Sequence, residues 1–140
     1  MGLVVLDLSA LIGLVDPADA HHRAAVDAAR RLRAAGMRFL VPATVLAEIL
    51  IAPAGRGLPG VQERRRIVGT AFGPPRAIDE DVAVEAACLR ARHHSLRLPD
   101  ALVIAVGRIE CASAVLTADR RWADVDERVH VLRVTDDAGG

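Results

Sequence analysis

The stretch GLVVLDLSALIGLVD, residues 2–16, constrains this chain most, because an uninterrupted apolar run leads directly into an acid. The run Leu3–Leu6 is typical of a parallel strand that is covered on both faces. An isolated ionised carboxylate is costly to bury unless it is paired or binds a metal. Asp7 therefore reaches solvent, caps the helix that follows, or belongs to a site.

The rest of the chain alternates short apolar runs with helical segments. Proline, glycine and capping residues mark where the helices begin and end. The predicted strands are 3–6, 38–41, 113–116 and 129–134. The predicted helices begin near Ser9, Ala20, Pro42, Pro59 or Gly60, Asp79 and Pro99, and end near Asp16, Ala35, Ala52, Ala71, His94 and Glu110. A short turn or helix is predicted over 119–125.

Strands separated by helices imply parallel strands joined by right-handed crossovers. We therefore predict an α/β/α sandwich with a short central parallel sheet of about four or five strands. In such sheets, ligands bind beyond the carboxyl ends of the strands, where the strand order reverses. Asp7 and Asp119 each follow a predicted strand, so both are expected at that edge.

Length and composition favour one domain with an aliphatic core. The chain has 140 residues, of which 52% are hydrophobic and 2% aromatic. We expect a single domain over 1–135 and a frayed tail over 136–140. No apolar run reaches the roughly 18 residues of a membrane span, and we expect neither a signal peptide nor a membrane partner. Cys88 and Cys111 are expected to be buried thiols in a reduced, cytoplasmic protein.

All 18 basic residues are arginine, and they balance 18 acids. Zero net charge argues against a protein that coats nucleic acid by bulk charge. The absence of lysine excludes a P-loop and Schiff-base chemistry. An arginine-biased genome explains this composition, although arginine also binds phosphate bidentately.

Four acids stand out, and three of them have ordinary explanations. Asp7 could cap a helix, Asp100 could complement the dipole of a first helical turn, and Asp119 could cap a turn or pair with Arg120 or Arg121. Glu48 lies on a mostly apolar helix without a basic partner at helical spacing, which is unusual.

Taken together, the four acids predict a cation site. Converging carboxylates repel one another, so some stay protonated or a divalent cation neutralises them. Oxygen ligands of this kind point to Mg²⁺ or Mn²⁺ rather than Zn²⁺.

The segments VVLDLSALIGLVDPADAHH, ATVLAEIL, LRLPDALVIAVG and VLTADRRW resemble the four acidic motifs of PIN-domain ribonucleases. Their order and spacing are similar to those of bacterial VapC-type toxins. The resemblance implies that Asp7, Glu48, Asp100 and Asp119 are both the catalytic residues and the metal ligands, with Ser9 and Thr117 in support. It further implies a Mg²⁺- or Mn²⁺-dependent endoribonuclease that hydrolyses RNA, forms a homodimer and is inhibited by a cognate antitoxin.

Two arginines adjoin these motifs and are the preferred candidates for RNA contact, Arg97 and Arg120. Two other functions are alternatives. A phosphoryl-transfer enzyme on a doubly wound sheet would need a second aspartate where Ser9 stands, and a catalytic lysine. A non-catalytic partner-binding module would not need the four acids.

Overall fold

The computed structural model describes residues 2–134, which form a four-stranded parallel sheet with six α-helices and one 3-10 helix. The strands are β1 Leu3–Leu6, β2 Arg38–Leu40, β3 Ala114–Thr117 and β4 Val129–Val131. The helices are α1 Leu8–Val15, α2 His22–Ala34, α3 Ala43–Ala54, α4 Leu58–Phe72, α5 Glu80–Arg92 and α6 Leu98–Ile109, and the 3-10 helix is Arg120–Trp122.

The strand order is β2-β1-β3-β4, with every pair parallel. The connection from β1 leads to β2 on one side of β1, and the connection from β2 leads back across the sheet to β3 on the other side. Right-handed crossovers in these two directions put helices on both faces of a sheet. The predicted α/β fold is confirmed, and its switch point lies between the carboxyl ends of β1 and β3.

Some predicted boundaries shift. Strand β4 ends at Val131 and not at residue 134. Helix α3 continues through Pro53 to Ala54 instead of ending near Ala52, and α4 begins at Leu58. Pro53 lies in the last turn of α3, one residue before the helix ends at Ala54, so the hydrogen bond that it cannot donate is lost only at the end of the helix. The predicted tail 136–140 lies outside the described residues.

The core is aliphatic and is centred on β1, β3 and α6. Val4, Val5 and Leu6 are fully buried, as expected for a strand covered on both faces. Gly107 brings α6 onto β3 at very short range, since a Cβ at this position would lie 2.4 Å from Val115 Cγ2. The helix that carries Asp100 is thus packed directly on the strand that leads to Asp119.

The two cysteines differ from expectation. Both are free and exposed, so the prediction of buried thiols is wrong. Cys88 lies on the outer face of α5, and Cys111 lies in the turn after α6 with a φ of 49°. Their apolar neighbours in sequence suggested burial, but the helix face and the turn direct them outward. Within residues 2–134, the helices lack the combination of length and apolar content needed to cross a bilayer.

A buried ion-pair network ties the loop before β4 to α6. The side chain of Asp126 is only 2% exposed and accepts from Arg108 Nη1 at 2.7 Å and from the backbone N–H of Arg128 at 2.9 Å. Arg108 also pairs with Glu85 on α5. Burial alone would raise the pKa of Asp126, but these donors and charges hold it below its ordinary value of 3.8.

We expect Asp126→Asn to lower the free energy of unfolding at pH 7 by about 2 kcal/mol, because it removes a charge-assisted hydrogen bond. A carboxyl with a lowered native pKa stabilises the fold above its unfolded pKa, and that stabilisation is lost as pH falls through the native pKa. The difference in the free energy of unfolding between the wild type and Asp126→Asn should therefore become smaller below pH 3.8. Urea unfolding at pH 7 and at acid pH checks this, and a gap independent of pH would contradict it.

Candidate functional site

Asp7 sits directly beyond β1 with its carboxylate held by two hydroxyls. Its Oδ2 accepts from Ser9 Oγ at 2.8 Å and from Thr117 Oγ1 at 2.7 Å. Asp7 precedes α1, but its side chain makes no capping hydrogen bond, and the residue is 8% exposed. Neither ordinary explanation, solvent exposure or helix capping, accounts for this carboxylate.

The same two hydroxyls connect Asp7 to the backbone beyond β3. Ser9 Oγ accepts from the N–H of Ala118 at 2.8 Å, and Thr117 Oγ1 accepts from the N–H of Asp119 at 3.1 Å. Each hydroxyl therefore donates to Asp7 and accepts from the chain that leads into the last acid. This relay fixes the ends of β1 and β3 against each other and leaves Asp7 Oδ1 unengaged among the described residues.

Glu48 on α3 and Asp100 in the first turn of α6 face this edge from the helical layer. Burial raises the pKa of Glu48, and the carboxylates of Asp7 and Asp100 raise it further. The pKa of Asp100 is raised for the same reasons, by burial first and then by Asp7 and Asp119. Asp7 is thus near enough to both Glu48 and Asp100 for its charge to act on them in a poorly solvated site.

Asp119 follows β3 and is held by Arg121. Arg121 Nε donates to Oδ1 at 3.0 Å and Nη2 donates to Oδ2 at 2.7 Å. The carboxylate also caps the 3-10 helix by accepting from the backbone N–H of Arg121 at 2.9 Å. The Arg121 hydrogen bonds hold the pKa of Asp119 below its usual range. Capping, pairing and proximity to Asp100 therefore coexist at this residue.

The two arginines singled out from sequence behave differently. Arg97 Nε lies 3.8 Å from Asp100 Oδ2, with its side chain 75% exposed, and its charge lowers the pKa of Glu48, Asp100 and Asp119. Arg120 is exposed and its side chain makes no hydrogen bond or ion pair with the part of the chain that the structure describes.

The structure thus brings the four predicted acids to one edge of the sheet, with Ser9 and Thr117 between two of them. Within residues 2–134, no three His, Cys, Asp or Glu side chains are close enough together to hold a metal ion as they stand. The donor chemistry nevertheless fits a hard divalent cation. All candidate ligands are carboxylate oxygens, two of them have raised pKa values, and Asp7 Oδ1 is available.

Two residues beside these acids, Arg121 and Thr44, were not among the predicted site residues. Arg121 was one of two possible partners of Asp119, and the 3-10 geometry selects it over Arg120. Thr44 lies one helical turn before Glu48 on α3, and its buried Oγ1 has no hydrogen-bond partner among the described residues. The spacing of four residues to Glu48 was the available signal for Thr44.

Comparisons with known proteins agree with this fold. The chain is similar in structure to a toxin-antitoxin complex from Klebsiella pneumoniae, with 21% identity, a TM-score of 0.71, and coverage of 91% of this chain and 96% of the other. VapBC2 from Rickettsia felis, solved with a promoter DNA fragment, has 12% identity, a TM-score of 0.74, and coverage of 94% and 99%. VapC20 from Mycobacterium tuberculosis, a Sarcin-Ricin loop cleaving toxin, has 22% identity, a TM-score of 0.61, and coverage of 80% and 86%.

A search among curated protein sequences found no match. The family model of the PIN domain matches residues 4–128, a span that includes most of β1, all of β2 and β3, the six helices and the four acids. The chain therefore belongs to the PIN domain family.

Proposed function

We propose that this protein is an endoribonuclease that uses Mg²⁺ or Mn²⁺ to hydrolyse RNA phosphodiesters. The observation that carries the proposal is the position of Asp7 beyond β1, held by Ser9 and Thr117, where its carboxylate raises the pKa of both Glu48 and Asp100. Membership of the PIN domain family supports a nuclease. The chain contains no lysine, so no lysine ammonium group can neutralise these carboxylates.

The residues would share the work as follows. A divalent cation supplies Lewis acidity, lowers the pKa of water and stabilises charge on phosphate oxygens. Asp7, fixed by Ser9 and Thr117, would present Oδ1 as a rigid ligand. Burial and neighbouring carboxylates raise the pKa values of Glu48 and Asp100, and a cation held by these two acids and Asp7 would offset that repulsion. A carboxylate that the cation does not engage would accept the proton of the attacking water.

The direct test is incubation of the purified protein with single-stranded RNA and Mn²⁺ or Mg²⁺. We expect internal cleavage that excess EDTA abolishes. Product ends with a 5′-phosphate and an intact 2′-hydroxyl would indicate hydrolysis by water. Cyclic phosphate ends would indicate attack by the RNA 2′-hydroxyl and would contradict the proposed chemistry.

Cation binding should also stabilise the fold. At a Mn²⁺ concentration about tenfold above the dissociation constant, binding contributes about 1.4 kcal/mol, which raises Tm by about 4 °C for a domain of this size. Relief of the repulsion among the acids is the physical reason. Thermal melts followed by circular dichroism check this, with the double variant Asp7→Asn/Asp100→Asn as a control that should not respond. Equal shifts in both proteins would contradict a site at these acids.

The biological role we assign is the toxin of a toxin–antitoxin pair, restrained by a cognate antitoxin. The similar structures from Klebsiella pneumoniae and Rickettsia felis are toxin-antitoxin and VapBC complexes. Co-expression with the product of an adjacent small gene should give a co-purifying, inactive complex. Full ribonuclease activity in that complex would contradict the role. Free exposed Cys88 and Cys111 suit a reduced, cytoplasmic setting for RNA cleavage.

We further assign a homodimer, because large apolar side chains are exposed where α3 meets α4. Ile51 is 70% exposed and Leu58 is 66% exposed. Solvent-facing apolar side chains of this size often mark an interface when they are close together. Sedimentation of the wild type and of Ile51→Glu/Leu58→Glu tests this. A monomeric wild type would exclude the dimer, and an unchanged dimeric variant would exclude this surface.

A further inference from the structure

The contact between Arg121 and Asp119 occupies most of the binding capacity of that carboxylate. A carboxylate offers about four lone-pair positions on its two oxygens. Oδ1 of Asp119 accepts from both the backbone N–H and Nε of Arg121, and Oδ2 accepts from Nη2. Three of the four positions are therefore used by a single residue.

Asp7 shows the opposite arrangement. Its two hydrogen bonds both fall on Oδ2 and come from neutral hydroxyls, so Oδ1 keeps its lone pairs and the carboxylate keeps its charge uncompensated. Asp7 is ready to bind a cation, whereas Asp119 is already neutralised by a guanidinium. Of the two acids at the ends of β1 and β3, Asp7 can therefore bind a cation as it stands, and Asp119 must first lose its contact with the Arg121 guanidinium.

The Arg121 side chain is free to leave. It is 78% exposed, and the bonds that hold it go to Asp119 alone among the described residues. Exposed ion pairs stabilise weakly, so a divalent cation can displace this one. By contrast, the Asp126 pair in the core is 2% exposed on the acid side and is anchored by two arginines.

We propose that Arg121 is a positioning residue that competes with the divalent cation for Asp119, so that this acid becomes a ligand only when the guanidinium leaves it. The inference rests on the proposed metal-dependent function and deepens it. Asp7, Glu48 and Asp100 bind the cation first, and Asp119 completes the site after exchange of one cationic partner for another. No bond to carbon or phosphorus changes in this step.

The experiment measures Mn²⁺ affinity without any substrate, from the sharp paramagnetic resonance signal of the unbound aquated ion. Four proteins are titrated: the wild type, Arg121→Gln, Arg121→Lys and Arg120→Gln. Arg120→Gln is the matched control, because it removes the same charge from the adjacent residue without freeing a carboxylate. We expect Arg121→Gln to bind Mn²⁺ at least about threefold more tightly than Arg120→Gln. Lysine lacks the guanidinium group that binds a carboxylate through two nitrogens. Arg121→Lys should therefore bind Mn²⁺ with an affinity between those of the wild type and Arg121→Gln.

A double-mutant cycle separates competition at Asp119 from a general loss of positive charge. In an Asp119→Asn background, the effect of Arg121→Gln should shrink to that of Arg120→Gln. An undiminished effect in that background, or equal effects of the two glutamine variants in the wild-type background, would overturn the competition.

The Mn²⁺ titrations distinguish an error about Arg121 from an error about the metal site. If all variants bind Mn²⁺ with the affinity of the wild type, the metal site stands and the role of Arg121 is wrong. If neither the wild type nor any variant binds Mn²⁺, the proposed metal site itself is wrong, and the competition is wrong with it. Circular dichroism spectra of all variants verify that they are folded.

Discussion

Asp7→Asn and Asp100→Asn should each reduce RNA cleavage by at least about a hundredfold, equivalent to about 2.7 kcal/mol of transition-state stabilisation. An amide keeps the shape of the carboxyl but loses the charge that binds a cation. Asp7 is the acid with an unengaged oxygen, and Asp100 is the acid that responds electrostatically to both Asp7 and Asp119. Initial rates on a labelled RNA at saturating Mn²⁺ measure the loss.

The matched control for Asp100 is Asp81→Asn. Asp81 also lies in the first turn of a helix, α5, where it is exposed and takes no part in the site. We expect its cleavage rate to stay within about twofold of the wild type. Undiminished cleavage by Asp7→Asn or Asp100→Asn, in protein whose circular dichroism spectrum is native, would falsify the four acids as the catalytic site.

Trp122→Ala should lower the free energy of unfolding by about 3 to 5 kcal/mol, the largest stability effect we expect from a single substitution. Trp122 is the largest of the fully buried side chains, at 2% exposed, and the backbone N–H of the same residue donates to the carbonyl of Asp119 at 3.2 Å. Truncation leaves a cavity beneath the segment that carries the last acid. We therefore expect reduced cleavage as well as reduced stability.

Because Trp122 is the only tryptophan, unfolding of the variant must be followed by circular dichroism. Trp122→Phe keeps most of the packing and should lose less stability than the alanine variant. Val84→Ala serves as the surface control, since Val84 is 58% exposed and should change stability by less than about 0.5 kcal/mol. A loss below about 1 kcal/mol in Trp122→Ala would show that Trp122 is not an anchor.

The parts of the fold that could be predicted are those dictated by local pattern. The apolar run Leu3–Leu6 ends at an acid, and a strand of that kind must lie inside a covered parallel sheet. The alternation of strands and helices then limits the topology to a few choices. The position of Asp7 and Asp119 at one edge followed from the parallel direction of their strands alone.

What could not be predicted depends on side-chain direction over short distances. Sequence left Arg120 and Arg121 equivalent as partners of Asp119, and the tight 3-10 turn decides in favour of Arg121. It placed Cys88 in an apolar stretch, but the residue lies on the outward face of α5. The donation of both hydroxyls to one oxygen of Asp7 needs the register of β1 against β3.

The close approach at Gly107 makes the orientation of α6 depend on the size of one residue. The contact with Val115 lies seven residues after Asp100, about 10 Å along the helix. A single methyl group at position 107 would push this end of α6 away from β3 and tilt the helix, which would displace Asp100 at the other end. The position of Asp100 relative to the end of β1 therefore depends on the smallest residue of the helix, about 10 Å from the proposed site.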